Sequence, residues 1–360
     1  MTTSAYIHIP FCRQKCFYCS FVSYPCPKII PDYLRALKKE IRHFYKGENL
    51  KTLYLGGGTP SILQAKEIES IISLLNFSDE TEVTMEMNPE FIDKKYLAEI
   101  QSLGINRLSI GCQSFDSEIL AAIGRKHTVK DVEFVVKTAQ DLGFDNISLD
   151  FIYGLPAQTL KSFTNDLKRA KNFGIQHISL YGLKIDEGCY FYKNPPKNIA
   201  DEDLQADMYL KAIETLADFE HYEISNFAHH GFHSRHNLNY WDNENYYGFG
   251  AAAHGFENGV RYSNFENSQE YIENCLEKSY RHSLSFQEKL EEEIFLGFRR
   301  ASGINSEKIN EKFSINFDEK YSKILEKYSR LGYLENASGN WKLTNSGILV
   351  SNVILSEFLE

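Results

Sequence analysis

The chain contains no apolar run of 18 residues, so no segment reads as a membrane-spanning helix. Its opening, Met1-Thr-Thr-Ser-Ala-Tyr6, has neither the basic stretch nor the long apolar core of a secretory signal. Positive charge is in deficit: 39 Lys and Arg stand against 49 Asp and Glu, a net charge of −10. That balance argues against a chain whose main task is holding a phosphate backbone, and no nucleic-acid partner is expected. Low-complexity tracts and fixed-period repeats are absent too, which sets aside disordered and solenoid readings. The expected location is the cytoplasm, with contact at the inner face of the membrane left open.

What is present is an ordinary globular composition, 42% apolar and 24% charged over 360 residues, enough for one large or two moderate domains. Up to about residue 225, short β-branched or apolar runs alternate with segments of helical period, the signature of βα units around a parallel sheet. The strands are expected at 5–9, 52–55, 82–87, 107–110, 147–152 and 177–183. The expected fold is α/β, a partial (βα)6 barrel, because the loops that follow several strands carry reactive residues and barrel sites gather at that end. Three regions are expected: a core domain over 1–227, an irregular connecting region rich in His and aromatics over 228–285, and a C-terminal helical domain over 286–360. The last resembles a winged helix, with a hairpin turning at Ser338-Gly339-Asn340.

The cysteines point to chemistry. Of seven, Cys12, Cys16 and Cys19 fall on one loop after the first strand, while Cys26, Cys112, Cys189 and Cys275 are scattered, which suits a metal site better than a disulfide framework. Three thiolates spaced CxxxCxxC can hold three irons of a [4Fe-4S] cluster and leave the fourth open to chelate the amino and carboxylate groups of S-adenosylmethionine. A zinc site completed by His8 or Cys26, or a closed cluster with Cys26, are the alternatives. At the second strand end, Gly56-Gly57-Gly58-Thr59-Pro60 lets backbone approach a ligand, without the Gly-Lys-Ser/Thr of a phosphate loop or a GxGxxG pattern. Glu86-Met-Asn-Pro89, Gly111-Cys-Gln113, Arg125 and Asp150 also lie at or near strand ends, placing carboxylates, amides and a guanidinium opposite the cysteine loop.

These motifs, with Tyr6-Ile-His-Ile-Pro-Phe-Cys, Ser109-Ile-Gly-Cys-Gln-Ser-Phe and Asp150-x-Ile-Tyr-Gly-Leu-Pro, resemble over nearly the whole chain the radical S-adenosylmethionine family of oxygen-independent coproporphyrinogen III dehydrogenases and their relatives. The resemblance implies Cys12, Cys16 and Cys19 as cluster ligands. It places Tyr6, Tyr18, Gly57, Gly58, Thr59, Glu86, Gln113, Arg125 and Asp150 around S-adenosylmethionine, and it implies an electron donor as a partner. Two departures separate the chain from the dehydrogenases themselves. Phe21 stands where those enzymes have a further cysteine, and Tyr6 is almost at the start, where they carry a long N-terminal segment. Both features resemble instead the haem-chaperone branch, whose members are thought to carry haem to acceptor proteins.

Two readings follow. As a carrier, the protein binds haem as cargo and hands it to an acceptor at the membrane or in the cytosol. As a dehydrogenase, it oxidatively decarboxylates coproporphyrinogen III to protoporphyrinogen IX. For the carrier, His221, His229, His230, His233 and His236 fall within sixteen residues, beside Tyr240, Trp241, Tyr246, Tyr247 and Phe249. Imidazole is a common axial ligand of haem iron. His236 is the first candidate for that role, with Cys189 and His254 behind it.

Overall fold

A computed structural model describes residues 2–25 and 27–359, so Cys26, weighed above as a ligand, lies outside the described residues. Six parallel strands form the centre: β1 (Ser4–Ile9), β2 (Thr52–Gly57), β3 (Glu82–Met87), β4 (Arg107–Gln113), β5 (Ile147–Tyr153) and β6 (His177–Gly182). They lie side by side in chain order, in registers such as Ile7 with Leu55, Leu55 with Met85 and Ile110 with Leu149. Their residues are buried almost end to end, as parallel strands must be when they are covered on both faces. Each strand sits where its apolar run predicts. Strands β2, β4 and β5 continue further, through Gly56-Gly57, Gly111-Cys-Gln113 and Tyr153, because the ladder to the neighbouring strand outweighs the weak strand preference of glycine and glutamine.

Helices α1 (Ile30–Phe44), α2 (Ala65–Ile72), α3 (Lys94–Ser102), α4 (Ser117–Ala122), α5 (Val129–Leu142) and α6 (Leu160–Lys171) return the chain between these strands. After β6 come α7 (Tyr190–Lys193) and α8 (Glu202–Thr215). Asp93, Asp116, Thr128, Thr159 and Asp201 start five of these helices, each side chain accepting from a backbone N–H of the first turn. The loops from β3, β4 and β5 to the caps Asp93, Asp116 and Thr159 are short.

The sheet is open, with nine strands. On the β6 side it is extended antiparallel by β7 (Glu220–Glu223) and β8 (Asn226–Ala228). After α9 (Arg235–Trp241), β9 (Tyr247–Phe249) lies parallel to β1, with Ala5 opposite Tyr247 and Ile7 opposite Phe249. The rest of the segment expected to be irregular folds as a meander, β10 (His254–Glu257), β11 (Val260–Ser263) and β12 (Tyr280–Ser283), interrupted by α10 (Ser268–Asn274). Much of the region over 228–285 is therefore regular secondary structure, joined by irregular stretches. Strands of three or four residues are too short to register as a period, and only pairing with distant residues makes them strands.

Buried Glu40 of α1 fastens this segment. It accepts from the Gly250 N–H at 2.8 Å, the Asn264 amide at 2.8 Å, the Tyr271 hydroxyl at 2.6 Å and the Lys278 ammonium at 2.7 Å.

The C-terminal part comprises α11 (Phe286–Gly297), β13 (Ile304–Asn305), α12 (Ser306–Phe313), α13 (Phe317–Lys320), α14 (Ser322–Arg330), β14 (Leu334–Ala337), β15 (Asn340–Leu343), α15 (Asn345–Leu349) and α16 (Ser351–Ser356). It packs around its own cluster, including Ile294, Phe298, Phe317 and Phe358. Ser338 and Gly339 both have positive φ, the geometry of a tight hairpin between β14 and β15. Among the described residues, no helix is long and apolar enough to cross a membrane.

Candidate functional site

The cysteine loop grows directly out of β1. Its two arms are tied together by Tyr24 N–H to Pro10 O at 2.8 Å and Cys12 N–H to Tyr24 O at 3.3 Å, and a turn is closed by Cys19 N–H to Cys16 O at 3.2 Å. The base of the loop is stitched to the end of β2 by Gly58 N–H to Ile9 O at 2.9 Å and Thr59 N–H to Phe11 O at 2.8 Å. Only glycine permits that approach: a Cβ on Gly58 would lie 2.6 Å from Phe11 O. At Gly57, φ is +111° and a Cβ would meet the His8 ring at 2.6 Å.

From the loop a chain of contacts runs across the strand ends. The Thr59 hydroxyl donates to Cys12 Sγ at 3.4 Å, the Asn88 amide donates to Thr59 Oγ1 at 3.3 Å, and Arg125 donates to Asn88 Oδ1 and, at 3.3 Å, to Gly111 O. Burial raises the pKa of the Tyr18 hydroxyl, and the same guanidinium opposes that larger rise electrostatically. Gly111 is needed here, because its Cβ would sit 2.6 Å from Arg125 Nη2 and 3.0 Å from the Gln113 amide. Gln113 itself takes φ +65° at a register shift between β4 and β5, which turns it out of the ladder.

Beside this lies an acidic pair. Glu86 accepts from the Tyr54 hydroxyl at 2.8 Å and the Gly57 N–H at 3.0 Å, and Asp150 accepts from Ser109 at 2.6 Å and Ser148 at 2.9 Å. Burial pushes Glu86 up to about 7, with the Asp150 charge adding to the rise and the Tyr54 and Gly57 donors opposing it. The Tyr6 ring lies 6.0 Å from that of Tyr54, which joins Tyr6 to Glu86 and Gly57, while Tyr18 belongs to the cysteine loop itself. Sequence reasoning passed over Asn88, Tyr54 and the two serines. Asn88 and Ser109 stood in quoted motifs, Glu-Met-Asn-Pro and Ser109-Ile-Gly-Cys-Gln-Ser-Phe, whereas Tyr54 and Ser148 are strand-interior residues with no distinguishing signal.

The residues present fit the cluster and S-adenosylmethionine on several counts. Three thiols share one loop and influence one another electrostatically. Burial raises the Cys12 thiol and pushes Cys19 up to about 11, a cost that coordination to iron would remove. Arg125 Nε is buried without a partner among the described residues. In His8, weighed above as a zinc ligand, Nδ1 lies 2.9 Å from the Tyr6 hydroxyl and Nε2 3.0 Å from Val22 O, so a metal there would have to displace one of these partners. Among the described residues no three His, Cys, Asp or Glu converge tightly enough for a single ion.

On the other side of Tyr6 and His8 opens a much larger space, a cleft of about 1130 Å³. Its walls are the loop residues Ser20, Phe21 and Val22, the aromatics Tyr240, Trp241 and Tyr246, and Leu284, Phe295 and Leu296 near α11. Phe21 is 68% exposed.

The histidine cluster read from the sequence does not converge on this cleft. The rings of His221 and His229 stack on Phe227 and Phe219, while His230 and His233 both bind Glu220. His236 is 1% exposed, with Nδ1 2.8 Å from Thr52 Oγ1 and Nε2 2.8 Å from the Tyr240 hydroxyl. Its pKa falls to about 3, chiefly through burial and also through the nearby Arg107 charge. Both ring nitrogens are thus engaged, and Tyr240 stands between His236 and the cleft that Tyr240 lines. Cys189 is buried in a satellite core against residues such as Phe191. His254 is exposed and lines the cleft, together with His8 and His282.

Comparison with known proteins places this geometry. Residues 6–170 match the Radical SAM superfamily and residues 284–350 the HemN C-terminal domain. The heme chaperone HemW of Bacillus subtilis (strain 168) is 36% identical, covering 99% of both chains. That of Lactococcus lactis is 35% identical (99% of this chain, 97% of the relative), and that of Escherichia coli (strain K12) is 30% identical (99% and 98%). The solved structure of coproporphyrinogen III oxidase (HemN) from Escherichia coli superposes with a TM-score of 0.88 at 21% identity, over 99% of this chain and 90% of that one, a likeness of fold.

Proposed function

The chain belongs to the haem-chaperone HemW family within the radical SAM superfamily, and on that premise we propose that it binds haem in the cleft beside the cysteine loop and delivers it to acceptor proteins. Cys12, Cys16 and Cys19 would hold a [4Fe-4S] cluster, and the patch from Tyr6 to Asp150 would hold S-adenosylmethionine. When bound, the cluster supplies a source of single electrons for cleaving the sulfonium. The chain's own part is to bind and orient. Arg125 presents a guanidinium fixed by Asn88 and Gly111 O, suited to a carboxylate, and Glu86 and Asp150 offer acceptors for an ammonium or ribose hydroxyls.

The observation that carries the haem reading is the cleft: large, aromatic, open to solvent and sharing the wall of Tyr6 and His8 with the cofactor patch. His236 is the axial ligand we favour. Burial keeps its imidazole neutral, and the tautomer that donates from Nδ1 to Thr52 would leave the lone pair on Nε2, which lies 2.8 Å from the Tyr240 hydroxyl. Rotation of Tyr240 would exchange that hydroxyl for iron. An electron donor and an acceptor at the membrane complete the proposal, with the protein itself in the cytoplasm.

The test is a haem titration of anaerobically cluster-reconstituted protein followed by absorption. Saturation near one haem per chain at low micromolar affinity or tighter is expected, and His236→Ala is expected to change the spectrum and weaken binding. Non-saturating uptake overturns the carrier reading and makes coproporphyrinogen turnover the next assay. An unaltered His236→Ala titration removes that residue as the ligand.

A further inference from the structure

Three imidazoles line the cleft, and their nitrogens are differently engaged. His8 is buried, with Nδ1 2.9 Å from the Tyr6 hydroxyl and Nε2 3.0 Å from Val22 O. His282 Nε2 lies 2.8 Å from Glu288. His254 is exposed, and neither of its ring nitrogens has a hydrogen-bond partner among the described residues. Other donors on the wall are taken: the Tyr240 hydroxyl lies 2.8 Å from His236 Nε2, and Glu292 accepts from Arg261 at 2.7 Å. The backbone beneath His254 is pinned from two sides. On one, β10 pairs with β11, His254 lies opposite Ser263, and the Asn264 N–H donates to Ala253 O at 2.9 Å. On the other, β9 packs so close that a Cβ on Gly248 would lie 1.9 Å from His254 O. The imidazole therefore swings about a fixed point on the cleft wall, free only in its side-chain torsions.

Neutral imidazole is a good ligand of haem iron, and what separates one histidine from another is the cost of freeing its lone pair. For His254 that cost is the release of water. For His236 it is the turning of Tyr240 and the loss of a buried hydrogen bond. Resting on the haem-carrier reading above, we propose that His254 binds the haem iron directly, as the ligand met on entry into the cleft, and that His236 takes the opposite axial position once Tyr240 has turned aside. Each step forms one iron–nitrogen bond and displaces one neutral group, water in the first and the tyrosine hydroxyl in the second, with no electron moved. The exposed bond is also the one that opens first on delivery, because the His254 side chain can leave the iron without disturbing β10.

The test compares ferric protoporphyrin IX with the iron-free macrocycle, each titrated into the cluster-reconstituted full chain and into its His254→Ala and His254→Gln variants. Both are changes at an exposed side chain, and denaturant unfolding is expected to be unaltered. For the ferric haem, either variant is expected to bind roughly tenfold more weakly or worse. Its paramagnetic resonance is expected to change from a low-spin, six-coordinate signal to a high-spin, five-coordinate one, and added free imidazole is expected to restore the first signal in His254→Ala. The iron-free macrocycle is expected to bind all three chains within about threefold, since it offers no iron to lose. Equal weakening of both macrocycles would make His254 a piece of the wall, and a haem signal unaltered in both variants would take it off the iron. Either result, with the parent chain still saturating near one haem, overturns the inference and leaves the carrier reading standing. Failure of the parent chain to saturate overturns both.

Discussion

Two sites meet at Tyr6 and His8, and they are built differently. At the strand ends, Glu86, Asn88, Arg125 and Asp150 are each held by hydrogen bonds to neighbours on the next strand or loop, with glycines at 57, 58 and 111 setting the distances. In the cleft the walls are rings and glutamates from elements far apart in the chain, and the space is open. The first arrangement suits a cofactor recognised by fixed polar contacts and kept in place. The second suits a flat, mostly apolar guest that is released again, because burial area holds a ligand without demanding that every polar atom be matched on its departure.

The most severe way to break this comparison is to remove a thiol. Cys16→Ala is expected to abolish the cluster's visible absorption and iron content after anaerobic reconstitution while the protein still saturates with haem. Loss of haem saturation as well would show one site where the comparison draws two. The cleft can be attacked from behind through Glu40, which anchors the strand-and-helix segment that walls it. Glu40→Ala leaves the Lys278 ammonium, 13% exposed, without its carboxylate, and a loss of about 3–5 kcal/mol is expected in denaturant unfolding. A loss near zero would mean that the wall is held by packing alone.

A pH series sharpens the contrast. His236 and His8, pushed down mainly by burial to about 3 and about 4, stay neutral in the fold while the unfolded chain binds their protons from about pH 6.5. Their contribution to stability is therefore full above that pH and is lost as pH falls toward 4. Glu86 and Glu223, raised by burial to about 7, act in the opposite sense, losing their contribution as pH rises from 4.5 through 7. His236→Gln is expected to flatten the acid limb by one proton, about 1.4 kcal/mol per pH unit between pH 6 and 4. An unchanged slope would show that His236 titrates normally. The smallest effect is expected at Phe21, whose ring is largely in solvent: Phe21→Ala should weaken haem binding several-fold, leave cluster content intact and leave unfolding unchanged. Equal loss of cluster and haem would assign Phe21 to the loop's own structure instead.

The legible parts of this molecule were local. Six strands and the cysteine loop could be read because each is a continuous run with its own period or spacing, and the strand-end residues could be read because βα connections always deliver them to the same rim. Strand β9 could not, since three residues, Tyr247-Gly-Phe249, become a strand only against β1. Nor could the fate of the histidines between 221 and 236 be read. Closeness along the chain suggested a ligand cluster, yet the backbone path sends two rings onto phenylalanines, two onto Glu220 and one beneath Tyr240.

By itself the sequence determined the partial barrel, the thiol set and the polar rim, because hydrophobic period, loop spacing and glycine placement act over a few residues. The tertiary structure decided the cleft: its size, its aromatic and acidic walls, and the engagement of Arg261 by Glu292. Those depend on segments near residues 6, 21, 241, 261 and 292 being brought together, through the pairing of β9 with β1, of β10 with β11, and the hold of Glu292 in α11 on Arg261 in β11.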